Sequence, residues 1–150
     1  SAYTVSVWVM VKVFSRYMRV FDFGNGAGQQ NIVLLLTNNM DPKPLLYAID
    51  YVVVHSSEPI KLNEWTHLAV SYGNGKAEFY LNGRLTGTAY IKATGSDSPK
   101  VTNSNKFGAS NYGDPNSNAV ISSFKIFNRV LSIDEILLHQ NPIQVYVEKH

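Results

Sequence analysis

Val5-Ser6-Val7-Trp8-Val9-Met10-Val11-Lys12-Val13 places a valine at every second position. Side chains of a β-strand point alternately to its two faces, so these valines share one face. Trp8 and Met10 bring apolar surface to the other face, so the strand is expected to keep little of itself in water.

The same reading extends outward. Met18 to Phe23 and Asn31 to Thr37 read as strands, and Leu45 to His55 as two short strands or one bent one. Trp65 to Tyr72, Ala77 to Leu81 and Arg84 to Ala89 form a run joined by turns. The first turn is Gly73-Asn74-Gly75-Lys76. The second is Asn82-Gly83, the pair that best tolerates the positive φ angles of a tight hairpin. Lys106 to Ser110 and Ala119 to Asn128 complete the set. Many short strands separated by turn signals point to a sandwich or a barrel. One helix is expected. Ser132-Ile133-Asp134-Glu135 is a capping box, Ile133, Ile136 and Leu137 give an apolar stripe, and Asn141-Pro142 ends it. Ile143 to Glu148 then alternates as a further strand. Two polar stretches, Ile91 to Asn105 and Asn111 to Asn118, read as loops.

Composition narrows the function. The 150 residues fit one domain around one core. Charged residues make up 16%, against about 25% in an average protein. The net charge of +2 is too weak a footprint for nucleic acid, and no partner of that kind is expected. No apolar stretch approaches the roughly 20 residues of a membrane helix, so direct membrane insertion is not expected either. Cysteine is absent, which excludes disulfides, zinc-thiolate sites and cysteine nucleophiles. The abrupt start in an apolar segment reads as a piece cut from a larger protein, with neighbouring domains of the same chain as its companions.

Four segments, in order, carry a family likeness. They are Val20-Phe21-Asp22-Phe23-Gly24-Asn25-Gly26, Leu62-Asn63-Glu64-Trp65-Thr66-His67-Leu68-Ala69-Val70, Phe79-Tyr80-Leu81-Asn82-Gly83, and Phe124-Lys125-Ile126-Phe127-Asn128-Arg129-Val130-Leu131-Ser132. The last leads into Ile133-Asp134-Glu135-Ile136. Together they resemble laminin G-like domains of the concanavalin A-like lectin/glucanase kind, over roughly Tyr3 to Leu138. The resemblance implies an all-β, two-sheet antiparallel jelly-roll sandwich with one short C-terminal helix. Each motif also has a structural reading. Trp65 has the size to anchor the core between the sheets, with Leu68 and Val70 on one face of their strand and Ala69 on the other. The family's usual first strand is missing, which implies an open sheet edge that the tail 143–148 or a partner strand would fill. An acidic pair usual in the family is replaced by Ser122 and Ser123. Gln29 or Gln30 stands where calcium-binding relatives carry an acidic residue.

Catalytic patterns are sparse. Retaining glycosidases need two carboxyl groups about 5 Å apart, yet Asp22, Asp50 and Glu78 each stand alone on their strands. Asp134 and Glu135 suit the first turn of the helix. His55, His67, His139 and His150 form no H-x-H or H-E-x-x-H spacing, and His67 reads as packed or solvent-facing. Gly24-Asn25-Gly26-Ala27-Gly28 leads into a strand rather than a helix N-terminus, so it reads as a turn and not a phosphate loop.

Asn111-Tyr112-Gly113-Asp114-Pro115-Asn116-Ser117-Asn118 is the candidate site. Asp114, Asn116 and Asn118 have the D-x-N-x-N spacing of a calcium loop's opening, with Asp22 or Asn25 as a further oxygen ligand. Ala119 and Lys125 stand where an EF-hand needs Gly and Glu. Read as a sugar site, Tyr112 is the stacking platform, with Asn111, Asp114 and Asn116 as hydrogen-bonding partners. A solvated, turn-rich loop is the plain alternative. The expectation is a non-catalytic recognition or adhesion module, extracellular or at the cell surface. It would bind glycan or an extracellular protein through rim loops, with calcium as a candidate cofactor. The alternative is an assembly module pairing through an open sheet edge; a glycosidase-related enzyme ranks below both.

Overall fold

The computed structural model describes residues 2–28, 31–48, 51–91 and 102–140. The valine alternation becomes β1 (Tyr3–Val13). Val5, Val7, Val9 and Val11 are buried, while Val13 is exposed at the strand end, beyond a bulge in the pairing. β2 (Arg19–Gly24), β3 (Ile32–Leu35), β4 (Leu45–Ala48) and β5 (Tyr51–His55) follow, then β6 (Thr66–Gly73), β7 (Lys76–Leu81) and β8 (Arg84–Tyr90). β9 (Ser104–Phe107), β10 (Asn118–Phe127) and α1 (Ile133–Gln140) close the order. The segment 45–55 is two strands, and β9 begins and ends earlier than the sequence suggested.

Among the described residues the strands form two five-stranded sheets, ordered β10-β1-β6-β7-β8 and β5-β4-β3-β2-β9. All pairings between these strands are antiparallel. This is the expected all-β sandwich with one short C-terminal helix.

The core lies between the sheets. Across the first sheet Val5 faces Val70 and Val7 faces Leu68, which in turn face Phe79 and Leu81. Across the second, Phe21, Leu34, Leu46 and Val54 form one inward row. All of these are buried, and each such side chain contributes about 1.5–3 kcal/mol by leaving water.

Trp65 is not part of this core. It precedes β6 and is 46% exposed. The reason is parity: Leu68 and Val70 point inward, so Trp65 shares the outward side with His67 and Ala69. Phe21 and Phe79 are the large aromatic side chains fully buried there instead.

Asn82 and Gly83 both adopt positive φ, 50° and 76°, as a two-residue hairpin requires. The capping box forms as expected. The Glu135 N–H donates to Ser132 Oγ at 3.2 Å, and the Ser132 N–H donates to Glu135 Oε1 at 3.2 Å. α1 lies over the outer face of the first sheet, where Ile136 and Leu131 pack with Ala69 and Tyr80. His67 is buried on that same outer face. Its Nε2 is 2.8 Å from Ser6 Oγ, and its Nδ1 has no hydrogen-bond partner among the described residues.

The two long sides of the sandwich differ. On one side, β5 and β8 are stapled together: the Ser57 N–H donates to the Thr86 carbonyl at 2.9 Å and Ser56 Oγ to Thr86 Oγ1 at 2.8 Å. Gly87 allows the approach, since a Cβ there would sit 2.0 Å from the His55 carbonyl oxygen. Gly87→Ala should therefore lower the unfolding free energy by about 1–3 kcal/mol, read as an earlier urea midpoint. An unchanged midpoint would mean the two strands part at no cost. On the other side, β9 and β10 are the sheet edges among the described residues. Phe21, Phe23, Phe107 and Phe124 form an aromatic chain there, with ring centroids 4.4 to 5.5 Å apart along it, and Phe107 is exposed. The expected tail strand 143–148 and the helix stop at 141–142 lie outside the described residues.

Candidate functional site

The outer face of the second sheet is unusually apolar. The runs Ile32-Val33-Leu34-Leu35-Leu36 and Leu45-Leu46-Tyr47-Ala48 have no polar alternation, so each strand carries apolar side chains on both faces. Val33, Leu35 and Leu45 point away from the core and are nonetheless buried. They are the floor of a pocket of about 270 Å³. Tyr17, Tyr47 and Tyr112 stand around it, with Val52 on β5 and the polar side chains of Asn38, Arg19 and Asp114.

Backbone geometry brings these groups together. Period two alone would put Arg19 and Asp22 on opposite faces of β2. The pairing with β3 jumps from Arg19–Leu35 to Phe21–Leu34, so β2 carries one extra residue. This bulge turns Arg19 and Asp22 onto the same outer face. Tyr17, just before β2, sits at φ 50°, a left-handed conformation that costs a bulky residue of order 1–3 kcal/mol.

Asp22 is fully buried and forms the hub of the site. Its Oδ2 accepts from Arg19 Nε at 3.1 Å and from the Asn111 N–H at 2.9 Å. Its Oδ1 accepts from Asn31 Nδ2 at 2.8 Å and from Asn111 Nδ2 at 2.9 Å. Arg19 is 6% exposed. Its Nη2 contacts Asp114 Oδ2 at 2.9 Å, its Nη1 donates to the Tyr17 carbonyl, and its guanidinium carbon lies 5.6 Å from the centre of the Tyr112 ring. The loop 108–117 is pinned to β2 at three further points. The Gly108 N–H donates to the Val20 carbonyl, the Arg19 N–H to Ser117 Oγ, and Ser117 Oγ to the Arg19 carbonyl. Within the loop, Ser110 Oγ accepts from the Tyr112 N–H and donates to Asp114 Oδ2 at 3.1 Å.

Of the residues singled out in the sequence, Tyr112 and Asp114 line the pocket, while Asn111 anchors the loop from behind on Asp22. Asn116 is exposed in the loop, and Asn118 is exposed at the start of β10. The sequence reading missed Tyr17, Arg19 and Tyr47. Its available signal was the unbroken apolar run of β3, which needs something to cover its outer side.

A calcium ion takes six to eight oxygen ligands. The residues here do not fit one. Both Asp22 oxygens are occupied by N–H donors, and Asp114 is paired with Arg19, whose guanidinium already supplies positive charge between the two carboxylates. Among the described residues no cluster of three or more His, Asp or Glu side chains is placed to hold a metal.

A laminin G-type sequence profile of the concanavalin A-like lectin/glucanases superfamily matches residues 1–137. The chain belongs to this superfamily. No curated protein sequence matches it. Solved superfamily-like structures do. Domain 4 of AbnA, a GH43 extracellular arabinanase from Geobacillus stearothermophilus, in complex with arabinotriose, aligns with TM-score 0.70 and 23% identity over 93% of this chain and 66% of that one. A candidate carbohydrate-binding protein from Bacteroides ovatus aligns with TM-score 0.71 and 18% identity, over 97% of this chain and 42% of that one. A heptameric pentraxin from Limulus polyphemus aligns with TM-score 0.63 and 17% identity, over 93% and 70%. The chain spans less than two thirds of the first two of these structures. At these identities what is shared is the fold. Sialidases from Trypanosoma rangeli also share it, so this superfamily fold serves binding proteins and occurs in enzymes alike.

Proposed function

We propose that this chain is a non-catalytic carbohydrate-binding module of a secreted or cell-surface protein, and that it takes glycan in the pocket on its second sheet. The observation that carries this is the set of three tyrosines around a buried apolar floor, with Asn38 and Asp114 among the lining residues. Sugar rings present C–H faces that stack on aromatic side chains and hydroxyls that bond to a few fixed polar groups, which is the usual make-up of a small-ligand site. The binding relatives named above support it by analogy. The non-catalytic reading rests on the two acidic groups of the site: Asp22 is sealed beneath the loop, and Asp114 is tied to Arg19. Neither is placed as a free general acid beside a nucleophile.

The test is a glycan-array screen followed by calorimetric titration of the best hit. Tyr112→Ala and Tyr47→Ala should each weaken binding about tenfold or more, the usual effect of truncating an aromatic anchor, and both should stay folded by circular dichroism. Chelating divalent cations should leave the affinity unchanged. Variants that bind as the parent does would move the ligand away from this pocket.

A second reading is assembly through the edge formed by β10. Ten residues long, it is paired on one side among the described residues, and its Val120 and Ile126 are exposed. Long unpaired edges invite another strand. A blank glycan screen with concentration-dependent mass in light scattering would favour that reading.

A further inference from the structure

We infer that the pocket selects neutral oligosaccharides and rejects carboxylated or sulfated ones; the inference rests on the glycan reading above and adds the ligand's charge class. Arg19 is the one cation among the described residues that line the pocket. A guanidinium at the floor of a sugar site is the group expected to grip a uronate, sialate or sulfate, because its planar fork matches such anions. Here three of its five N–H groups are already engaged inside the chain. Each of its three side-chain nitrogens already donates inside the chain: Nε to Asp22, Nη1 to the Tyr17 carbonyl, Nη2 to Asp114.

The charge balance points the same way. Asp22 and Asp114 balance Arg19 and the neighbouring Lys106, so these four groups leave no net positive charge to draw an anion. Lys106, beside Asp22 in the pairing of β2 with β9, turns its ammonium to the Ser110 carbonyl at 3.1 Å. Asp114 is also the partly exposed member of the trio, its side chain 24% accessible against 7% for Arg19. An arriving ligand therefore meets a carboxylate before it meets the guanidinium. An anionic sugar would have to displace Asp114 from Arg19 and remain beside it, whereas a neutral hydroxyl donates to Asp114 with the ion pair intact. The apolar floor and the three tyrosines ask only for a sugar face.

Titration calorimetry at low and at physiological salt would compare arabinotriose, xylotriose and galactotriose with trigalacturonate, sialyllactose and a heparin-derived tetrasaccharide. We expect binding from the neutral group alone, with affinity indifferent to salt and weakened about tenfold or more in Tyr112→Ala. Asp114→Asn removes the competing carboxylate and frees Arg19 Nη2, so it should gain about tenfold or more for trigalacturonate, the worth of one charge-assisted hydrogen bond. If an acidic sugar binds the parent chain as tightly as any neutral one, in a manner sensitive to Tyr112→Ala, the neutral class is overturned and the glycan site stands. If Asp114→Asn stays folded, binds neutral sugar and still shows no gain for trigalacturonate, the Arg19–Asp114 lock is not the source of selectivity and the inference fails. If neither group binds, the glycan reading falls and takes this inference with it.

Discussion

Asp22→Ala should destabilise the domain by about 3–5 kcal/mol, the usual cost of stripping one partner from a buried, hydrogen-bonded charge pair. The Asp22 carboxylate accepts from Arg19, Asn31 and twice from Asn111, all in a fully buried position. Alanine would leave the guanidinium with Asp114 as its remaining carboxylate and would orphan the amide donors, each of which costs about 1–3 kcal/mol when buried and unmet. Because Asn111 is one of those donors, the loop 108–117 should lose its anchor, and glycan affinity should fall even where the protein is still folded. Asp22→Asn keeps one acceptor oxygen and should cost less than the alanine. The check is urea unfolding with the parent and both variants side by side. A loss below about 1 kcal/mol for Asp22→Ala would show that water replaces the carboxylate, and that the hub described here is not one.

The second large effect is acid sensitivity centred on His67. Burial beneath α1, helped by the charges of Lys125 and His139, pulls its pKa down from 6.5 to about 4. The folded state thus refuses a proton that the unfolded chain accepts between those two values. The stability tied to neutral His67 is fully present above pH 6.5 and is lost as the pH falls toward 4, amounting to roughly 3 kcal/mol by linkage. Thermal unfolding measured across that window should show a steep fall for the parent. His67→Gln, which keeps a polar partner for Ser6 but has no proton to take up, should be less stable at neutral pH and should lose most of the slope. A variant that keeps the parent's slope would place the acid sensitivity elsewhere.

Much of the architecture was legible residue by residue. The alternation from Val5 to Val11, the Asn82-Gly83 hairpin and the Ser132–Glu135 box are local signals whose physics acts over a few residues, and each appears where its pattern says. The site was half legible. Tyr112 and Asp114 stood out because their loop is polar and turn-rich. Arg19 was hidden by a single bulge, since simple alternation sends it to the wrong face of β2. Tyr17 and Tyr47 were hidden by distance along the chain: only the pairing of β2, β3 and β4 brings them to Tyr112. Trp65 misled through its size, although its neighbours' parity already placed it outward.

The uneven closure of the sandwich bears on how binding would be felt. One side is closed by backbone and hydroxyl bonds between β5 and β8, the other by the phenylalanine chain and by the ties of the loop 108–117 to β2. The loop that joins β9 to β10 is the one carrying Tyr112 and Asp114. A ligand resting on Tyr47, Tyr112 and the floor of the second sheet would bridge that loop and the sheet, and would hold the loop against local release. The apparent affinity would then be discounted by the fraction of time that the loop is released from β2.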